Sequence, residues 1–355
     1  MQTSQSLSTV LGDELQRPRA KVPLYFCGGT GANIAAATHA FIGALSDRDR
    51  ANMADQAFNL VDTSRSNLTA SHKGMNFVHL QKNGVAMDGG GKVMKDVWDT
   101  AKQQAPDVLK AMPPEAVNIV IASLGGGSGN ALAIALTQEL RRQGKEVVLV
   151  GMIGTESKAV LENITRSMTL LKDSVVKLKK TIALMPFVNE STSEYKSTNL
   201  LVAQAICMLL TIFSNQNARM DSADIVQWLN FEQRAKCDPA LVGMYHTVRQ
   251  APLEPGLVPL TLATLTDNEE QDASAGWVGA YQTHGILPNP TTNEHLEASG
   301  VFSATPAHMV ICDGVVQSVF NRVHELAQQV ARAEQNLGRR DAIDTSAVDL
   351  DGMSA

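Results

Sequence analysis

Short apolar runs separated by longer amphipathic stretches dominate the first half of the chain. Such runs are typical of buried strands, and several stretches between them have the length and periodicity of helices. The predicted strands are Leu24–Cys27, Ala57–Val61, Val117–Ala122, Val147–Met152 and Thr181–Phe187. Alternation of strands and helices predicts an α/β fold with a parallel sheet covered on both faces.

The longest apolar run is Leu200–Phe213, interrupted only by Gln204 and Thr211. It is shorter than the roughly 20 residues that a membrane-spanning helix needs. A helix that is apolar on every side is then buried within the protein. This run therefore predicts a central core helix.

A second, smaller α+β unit is predicted after a break at Ser214–Ser222. A short amphipathic helix is expected over Asp224–Lys236, followed by proline-rich turns between strand-like runs. Those runs are Leu257–Leu265 and His308–Cys312, and a closing helix is predicted near Val315–Leu337.

These elements divide the chain into five segments. We expect a flexible extension at 1–20, the α/β domain at 21–193, the core helix at 194–218 and the second domain at 219–338. Residues 339–355 form a predicted acidic tail, with aspartates at Asp341, Asp344, Asp349 and Asp351.

Composition and charge narrow the class of protein. The chain is 44% hydrophobic and 19% charged, which is ordinary for a folded globular protein. Its net charge of −6 argues against a broad electrostatic grip on nucleic acid or an anionic membrane. The four cysteines are widely spaced and the first residues lack an apolar secretory segment, so we expect free thiols in a reducing cytoplasm.

Glycines concentrate in three connections of the predicted α/β domain. The first and third clusters directly follow a strand and open a helix, which places them at the ligand-binding edge of a parallel sheet. Backbone N–H groups and helix N-termini at such loops bind anions, so the pattern indicates a polyphosphate ligand. The alternative is that the glycines only permit tight turns. The clusters are Gly28-Gly29-Thr30-Gly31, Gly89-Gly90-Gly91 and Gly125-Gly126-Gly127-Ser128-Gly129.

The common nucleotide and zinc motifs do not match these loops. Val93 follows Gly90-Gly91-Lys92, so there is no P-loop, and Gly29-Thr30-Gly31 lacks the third glycine of a Rossmann fingerprint. His324-Glu325 has no second histidine in register, so no zinc motif is predicted.

Two of the glycine segments resemble loops of the tubulin/FtsZ superfamily. Gly28–Asn33 is similar to the first phosphate loop and Ser123–Asn130 to the glycine-rich signature loop, most of all to those of phage-encoded tubulins of the PhuZ type. Asn215–Asp224 and the ending Asp351-Gly352-Met353 also resemble that family. The resemblance extends from Lys21 to the end of the chain.

The resemblance implies a GTP-binding protein with Mg²⁺ as cofactor. Asn199 would meet the guanine edge, although an asparagine near the start of a helix is also a favoured N-cap. By this resemblance, the nucleotide-binding residues are Gly28, Gly29, Thr30, Gly31, Asn33, Asp62, Asn67, Gly90, Gly91, Lys92, Gly125, Gly126, Gly127, Ser128, Gly129, Asn130, Glu156, Asn163 and Asn199.

Catalysis in this superfamily is shared between subunits. The resemblance makes Asp221 and Asp224 the acidic loop that polarises the attacking water in the next subunit's site, with Mg²⁺ offsetting charge repulsion from the phosphates. From the residues alone, either aspartate could instead cap the following helix. Arg219 stands where bacterial relatives have asparagine, which favours the phage branch.

The expected function is a GTPase that polymerises head to tail in the cytoplasm of an infected bacterium. Its filaments would position phage DNA or the phage replication compartment at the cell centre, without binding nucleic acid or membrane directly. The acidic tail, with Arg332, Arg339 and Arg340 before it, would dock on the neighbouring subunit; alternatively it is a solvated end. Other candidates are an FtsZ- or TubZ-like division or partition GTPase and a monomeric Rossmann-type enzyme.

Overall fold

A ten-stranded sheet forms the centre of the molecule. The structure is a computed structural model that describes residues 17–91, 93–154, 157–189, 195–217, 219–248, 259–266, 280–287, 307–312 and 314–344. The strands follow the order β11-β10-β12-β9-β8-β7-β6-β1-β2-β3 across the sheet. Seven neighbouring strands, from β9 to β3, run parallel, as the alternating pattern predicts.

The strands and helices have the following bounds. The strands are β1 (Lys21–Cys27), β2 (Asp55–Asp62), β3 (Asn76–His79), β4 (Gln81–Lys82), β5 (Val85–Ala86), β6 (Val117–Ser123), β7 (Glu146–Gly154), β8 (Ile182–Asn189), β9 (Leu241–Val248), β10 (Pro259–Thr266), β11 (Tyr281–Ile286) and β12 (Ala307–Cys312). The helices are α1 (Gly28–Ala44), α2 (Asp47–Ala51), α3 (Met94–Ala111), α4 (Ser128–Arg142), α5 (Lys158–Leu178), α6 (Tyr195–Ile212), α7 (Ser222–Leu229), α8 (Glu232–Ala235) and α9 (Gly314–Asp344).

Alternate residues of the parallel strands enter two separate hydrophobic cores, one on each face of the sheet. In β1, Leu24 and Phe26 join the core under α1, α6 and α7. Tyr25 and Cys27 join the other core, under α3, α4, α5 and α9. Because both faces of these strands are buried, their sequences are continuously apolar.

Helix α6 is the central helix that the apolar run predicts. It packs against α1 and β8, and its residues from Val202 to Ile212 are mostly buried. By length and composition it is the one helix in the described part of the chain that could cross a membrane. Its packing on the sheet is that of a core helix.

The strands of the second unit continue the same sheet. β9 pairs in parallel with β8 through Ile182 and Leu241, and β12 and β10 then add antiparallel strands beyond it. The apolar pattern misses β3, β9, β11 and the β4–β5 hairpin. The amphipathic helix predicted over Asp224–Lys236 is two helices, because α7 ends at Asn230.

The ends of the chain differ from the predicted boundaries. Residues 17–20, assigned above to a flexible extension, are held by hydrogen bonds to the loop after α6: Ala20 N–H donates to the Ser214 carbonyl (2.9 Å) and Gln216 Nε2 donates to the Arg17 carbonyl (2.6 Å). Helix α9 runs through Asp344, so the first part of the predicted tail is helical. Residues 1–16 and 345–355 lie outside the described residues.

Candidate functional site

A cleft of about 430 Å³ opens at the carboxyl ends of β1, β2 and β6. This volume is within the range of roughly 300–1,000 Å³ that is usual for ligand pockets. All three predicted glycine clusters contribute to its walls, which confirms that they meet at one edge of the sheet. The lining residues are Cys27, Gly28, Gly29, Thr30, Asp62, Thr63, Ser64, Ser66, Asn67, Asp88, Gly89, Gly90, Ser123, Gly126, Gly127, Ser128 and Gly129.

The first and third glycine loops touch each other through their backbones. A Cβ atom added to Gly129 would lie 2.5 Å from the Cys27 carbonyl oxygen, and one added to Gly28 would lie 2.7 Å from Gly129 Cα. Gly28 also has φ of +71°, where side chains are strained. Glycine is therefore required here for close approach, which brings the N-termini of α1 and α4 to the same cleft and favours an anionic ligand.

Polar side chains from the loop after β2 hold the floor of the cleft. Asp62 accepts hydrogen bonds from Thr63 N–H (2.7 Å) and from Asn67 Nδ2 (2.8 Å). Thr63 Oγ1 donates to Ser128 Oγ (2.6 Å), which joins this loop to the third glycine cluster. The site is therefore a connected network before any ligand binds.

Two carboxylates line a cleft whose loops suit an anion. Asp62 lines one side, and Asp88, which accepts from Ser64 Oγ (3.1 Å), lines another. Carboxylate and hydroxyl oxygens are the ligands that Mg²⁺ prefers, usually together with phosphate oxygens of the substrate. The residues present therefore fit the predicted Mg²⁺.

Cys27 lies at the base of the cleft but does not act as a nucleophile. Burial, and then the charge of Asp62, raise the pKa of its thiol well above the ordinary range. The group stays protonated at neutral pH, and only a thiolate is reactive.

Four predicted site residues lie behind the cleft wall. Gly31 packs against the Phe26 backbone and Gly125 against Val160. Asn130 is fully buried and donates to the Leu124 carbonyl (2.6 Å), while the Asn163 amide donates to the Gly125 carbonyl (3.0 Å). Neither asparagine lines the cleft; both hold the signature loop in place from behind.

The remaining predicted nucleotide residues are more scattered. Asn33 is exposed on α1 and Gly91 is exposed beyond Gly90, and neither is among the lining residues. Asn199 is half-buried inside α6, which is already helical at Tyr195, so the N-cap alternative for Asn199 is wrong. Lys92 and Glu156 lie outside the described residues.

Several lining residues were not among the predicted contacts. Thr63, Ser64 and Ser66 carry hydroxyl side chains in the loop directly after β2, and Asp88 precedes the second glycine cluster. Their positions in the sequence could have identified them, because each follows a predicted strand or borders a glycine cluster at the carboxyl ends of the parallel strands.

Asp221 and Asp224 form a capping box at the start of α7. Asp221 Oδ1 accepts from Ala223 N–H (2.8 Å) and Asp224 N–H (2.9 Å). Asp224 Oδ2 accepts from Asp221 N–H in return (3.0 Å). The capping alternative is thus observed for this pair. Asp221 is nonetheless exposed, and a carboxylate retains lone pairs that can accept from water.

This acidic loop lies at the amino ends of the parallel strands, whereas the cleft lies at their carboxyl ends. Asp221 borders a small apolar groove together with Lys21 and Val117, which are the first residues of β1 and β6. The glycine loops follow the last residues of the same strands. A seven-residue strand is about 20 Å long. Within one subunit, the acidic loop therefore cannot reach the cleft.

Comparisons with known proteins find similar phage proteins. No protein-family model matches the chain. The phage tubulin-like protein of Pseudomonas phage PhiPA3 is 25% identical over 337 residues, covering 94% of this chain and 96% of that protein. The TubZ protofilament of bacteriophage PhiKZ superposes with a TM-score of 0.75 at 21% identity, over 89% of this chain and 93% of the other. The phage tubulin PhuZ with GDP superposes with a TM-score of 0.73 at 23% identity, over 89% and 93% of the two chains.

The chain has a tubulin-like fold, which it shares with these solved phage structures. The chain is similar to phage tubulin-like proteins along almost its whole length. The predicted resemblance is confirmed.

Proposed function

We propose that this chain is a phage tubulin-like GTPase that assembles head to tail, each contact enclosing a nucleotide between two subunits. The observation that carries the proposal is the separation of the site into two halves. The glycine-loop cleft and the Asp221–Asp224 loop lie at opposite ends of the parallel strands, about 20 Å apart. A second copy stacked on the carboxyl edge would bring its acidic loop over the cleft.

The residues of the cleft would bind the nucleotide and hold its phosphates. Backbone N–H groups at Gly28–Gly31 and Gly126–Gly129 lie at the N-termini of α1 and α4, where the helix dipole favours negative charge. Asp62, Ser64 and Asp88 would hold Mg²⁺, which neutralises charge on the phosphates when it is bound.

The acidic loop of the next subunit would complete the reaction centre. Carboxylates at Asp221 and Asp224 accept hydrogen bonds from the attacking water and orient it in line with the terminal phosphate. Because water is positioned only when two subunits meet, hydrolysis is coupled to assembly. A head-to-tail contact between opposite ends of the strands that does not close into a ring repeats into a filament.

The proposed cellular role rests on the resemblance to phage tubulins. We propose that the filaments act in the cytoplasm of the host bacterium and position phage DNA or the replication compartment at the cell centre. The net charge of −6 is consistent with transport that needs no direct contact with nucleic acid or membrane.

The test is GTP hydrolysis measured against protein concentration, with light scattering in parallel. The shared site predicts a threshold concentration at which both signals begin together. A constant rate per subunit down to high dilution would contradict the shared site and would favour a monomeric nucleotide-binding enzyme.

Deleting residues 345–355, which leaves α9 intact, tests the proposed docking of the acidic tail. We expect the threshold concentration to rise several-fold while GTP affinity of isolated subunits is unchanged, because the tail is proposed to hold two subunits together. An unchanged threshold would mean that the tail is only a solvated end.

A further inference from the structure

The side chain of Asp224 is held by a second element besides its own helix. Tyr281, the first residue of β11, donates its hydroxyl to Asp224 Oδ1 (3.1 Å). Asp224 Oδ2 accepts from Asp221 N–H (3.0 Å). Each carboxylate oxygen therefore has one fixed donor. The ring of Tyr281 packs against the core under α7.

The Tyr281 hydroxyl keeps its proton at every pH at which the protein would work. Burial, followed by the hydrogen bond to Asp224, raises the pKa of Tyr281 to about 12, and nearby Arg234 only partly opposes this shift. At neutral pH the hydroxyl is consequently a donor to the carboxylate.

The opposite end of α7 is also fixed. Asn230, which ends the helix, accepts a hydrogen bond from Arg141 Nη2 (2.8 Å), and Arg141 is a buried partner of Glu146. Arg141 lies near the end of α4, the helix that begins at the signature loop. Hydrogen bonds therefore hold both ends of α7, the helix that carries Asp224.

We propose that Tyr281 is a positioning residue for hydrolysis, which fixes the rotation of the Asp224 carboxylate so that it meets the nucleotide of the neighbouring subunit. The inference rests on the proposed function. Two donors, from the N-cap residue Asp221 and from β11, hold the carboxylate in one orientation, and its unused lone pairs then point in a set direction. Tyr281 itself does not touch the nucleotide.

Tyr281→Phe tests this role because it removes only the hydroxyl and keeps the packed ring. We expect phosphate release per polymerised subunit to fall roughly three- to tenfold, the effect of losing one typical hydrogen bond. GTP affinity of isolated subunits and the threshold concentration should stay within about twofold.

A double variant separates positioning from stability. In the Asp224→Asn background, Tyr281→Phe should slow hydrolysis no further, because the two residues act as one unit. A further loss of similar size would show a merely structural role and overturn the proposal.

Tyr25→Phe is the matched control: its buried hydroxyl donates to the Met112 carbonyl (2.8 Å), so we expect a lower thermal midpoint and unchanged release per polymerised subunit.

The outcomes also separate this inference from the proposed function. If Asp224→Asn slows hydrolysis and Tyr281→Phe does not, Tyr281 is not a positioning residue, and the shared site stands. If Asp224→Asn itself has full activity, both proposals fail.

Discussion

Asp224→Asn is expected to leave GTP binding by isolated subunits unchanged and to slow hydrolysis in filaments roughly 10²–10⁴-fold, the contribution of a positioned general base. Binding is spared because Asp224 lies about 20 Å from the cleft of its own subunit. The cap of α7 survives, since Asp221 still accepts from the backbone of residues 223 and 224. Filaments that retain GTP should persist longer, measured by phosphate release and by the decay of scattering.

Asp107→Asn is a suitable control for this charge change. It removes the same charge from an exposed position on α3 and should leave release, threshold and affinity as they are. Loss of GTP binding by isolated Asp224→Asn subunits would contradict the separation of the site into two halves. If Asp224→Asn does not slow hydrolysis, the only role of the Asp221–Asp224 pair is to cap α7.

Burial on both faces decides which strands the sequence can predict. β1, β6 and β7 are continuously apolar because helices cover both sides, and their predicted bounds lie within a few residues of the observed ones. β11 reads Tyr-Gln-Thr-His-Gly-Ile and lies at the edge of the sheet, so its apolar content is too low to predict a strand.

The parts of the cleft that the glycine-loop backbone forms could be predicted from the sequence. Glycine clusters after strands locate phosphate loops, because the carboxyl ends of parallel strands meet at one edge. Side chains that support those loops cannot be recognised from the sequence in this way: the Asn163 amide donates to the Gly125 carbonyl, a contact that exists only in the folded chain. Tyr281 carried no signal, because its link to Asp224 spans 57 residues and exists only in the folded chain.

Gly129→Ala is expected to weaken nucleotide binding by about tenfold or more. The new methyl group would lie 2.5 Å from the Cys27 carbonyl oxygen and 3.2 Å from Gly28 Cα. Both are backbone atoms, so the two glycine loops must separate. Overpacking of this kind costs ~1–3 kcal/mol. A loss of 1.4 kcal/mol in binding is about tenfold in affinity. Titration of isolated subunits with GTP measures the effect.

Gly126→Ala is the matched variant in the same loop. The nearest atom to its added methyl group is the Ser123 carbonyl oxygen at 3.7 Å, an ordinary contact, so the chain should keep its thermal midpoint. Gly129→Ala should lower that midpoint and bind GTP more weakly than Gly126→Ala. Equal affinities in the two variants would contradict a binding site formed by the contact between the loops. Because assembly requires bound nucleotide in the proposed mechanism, Gly129→Ala should also raise the threshold concentration, whereas Asp224→Asn should not.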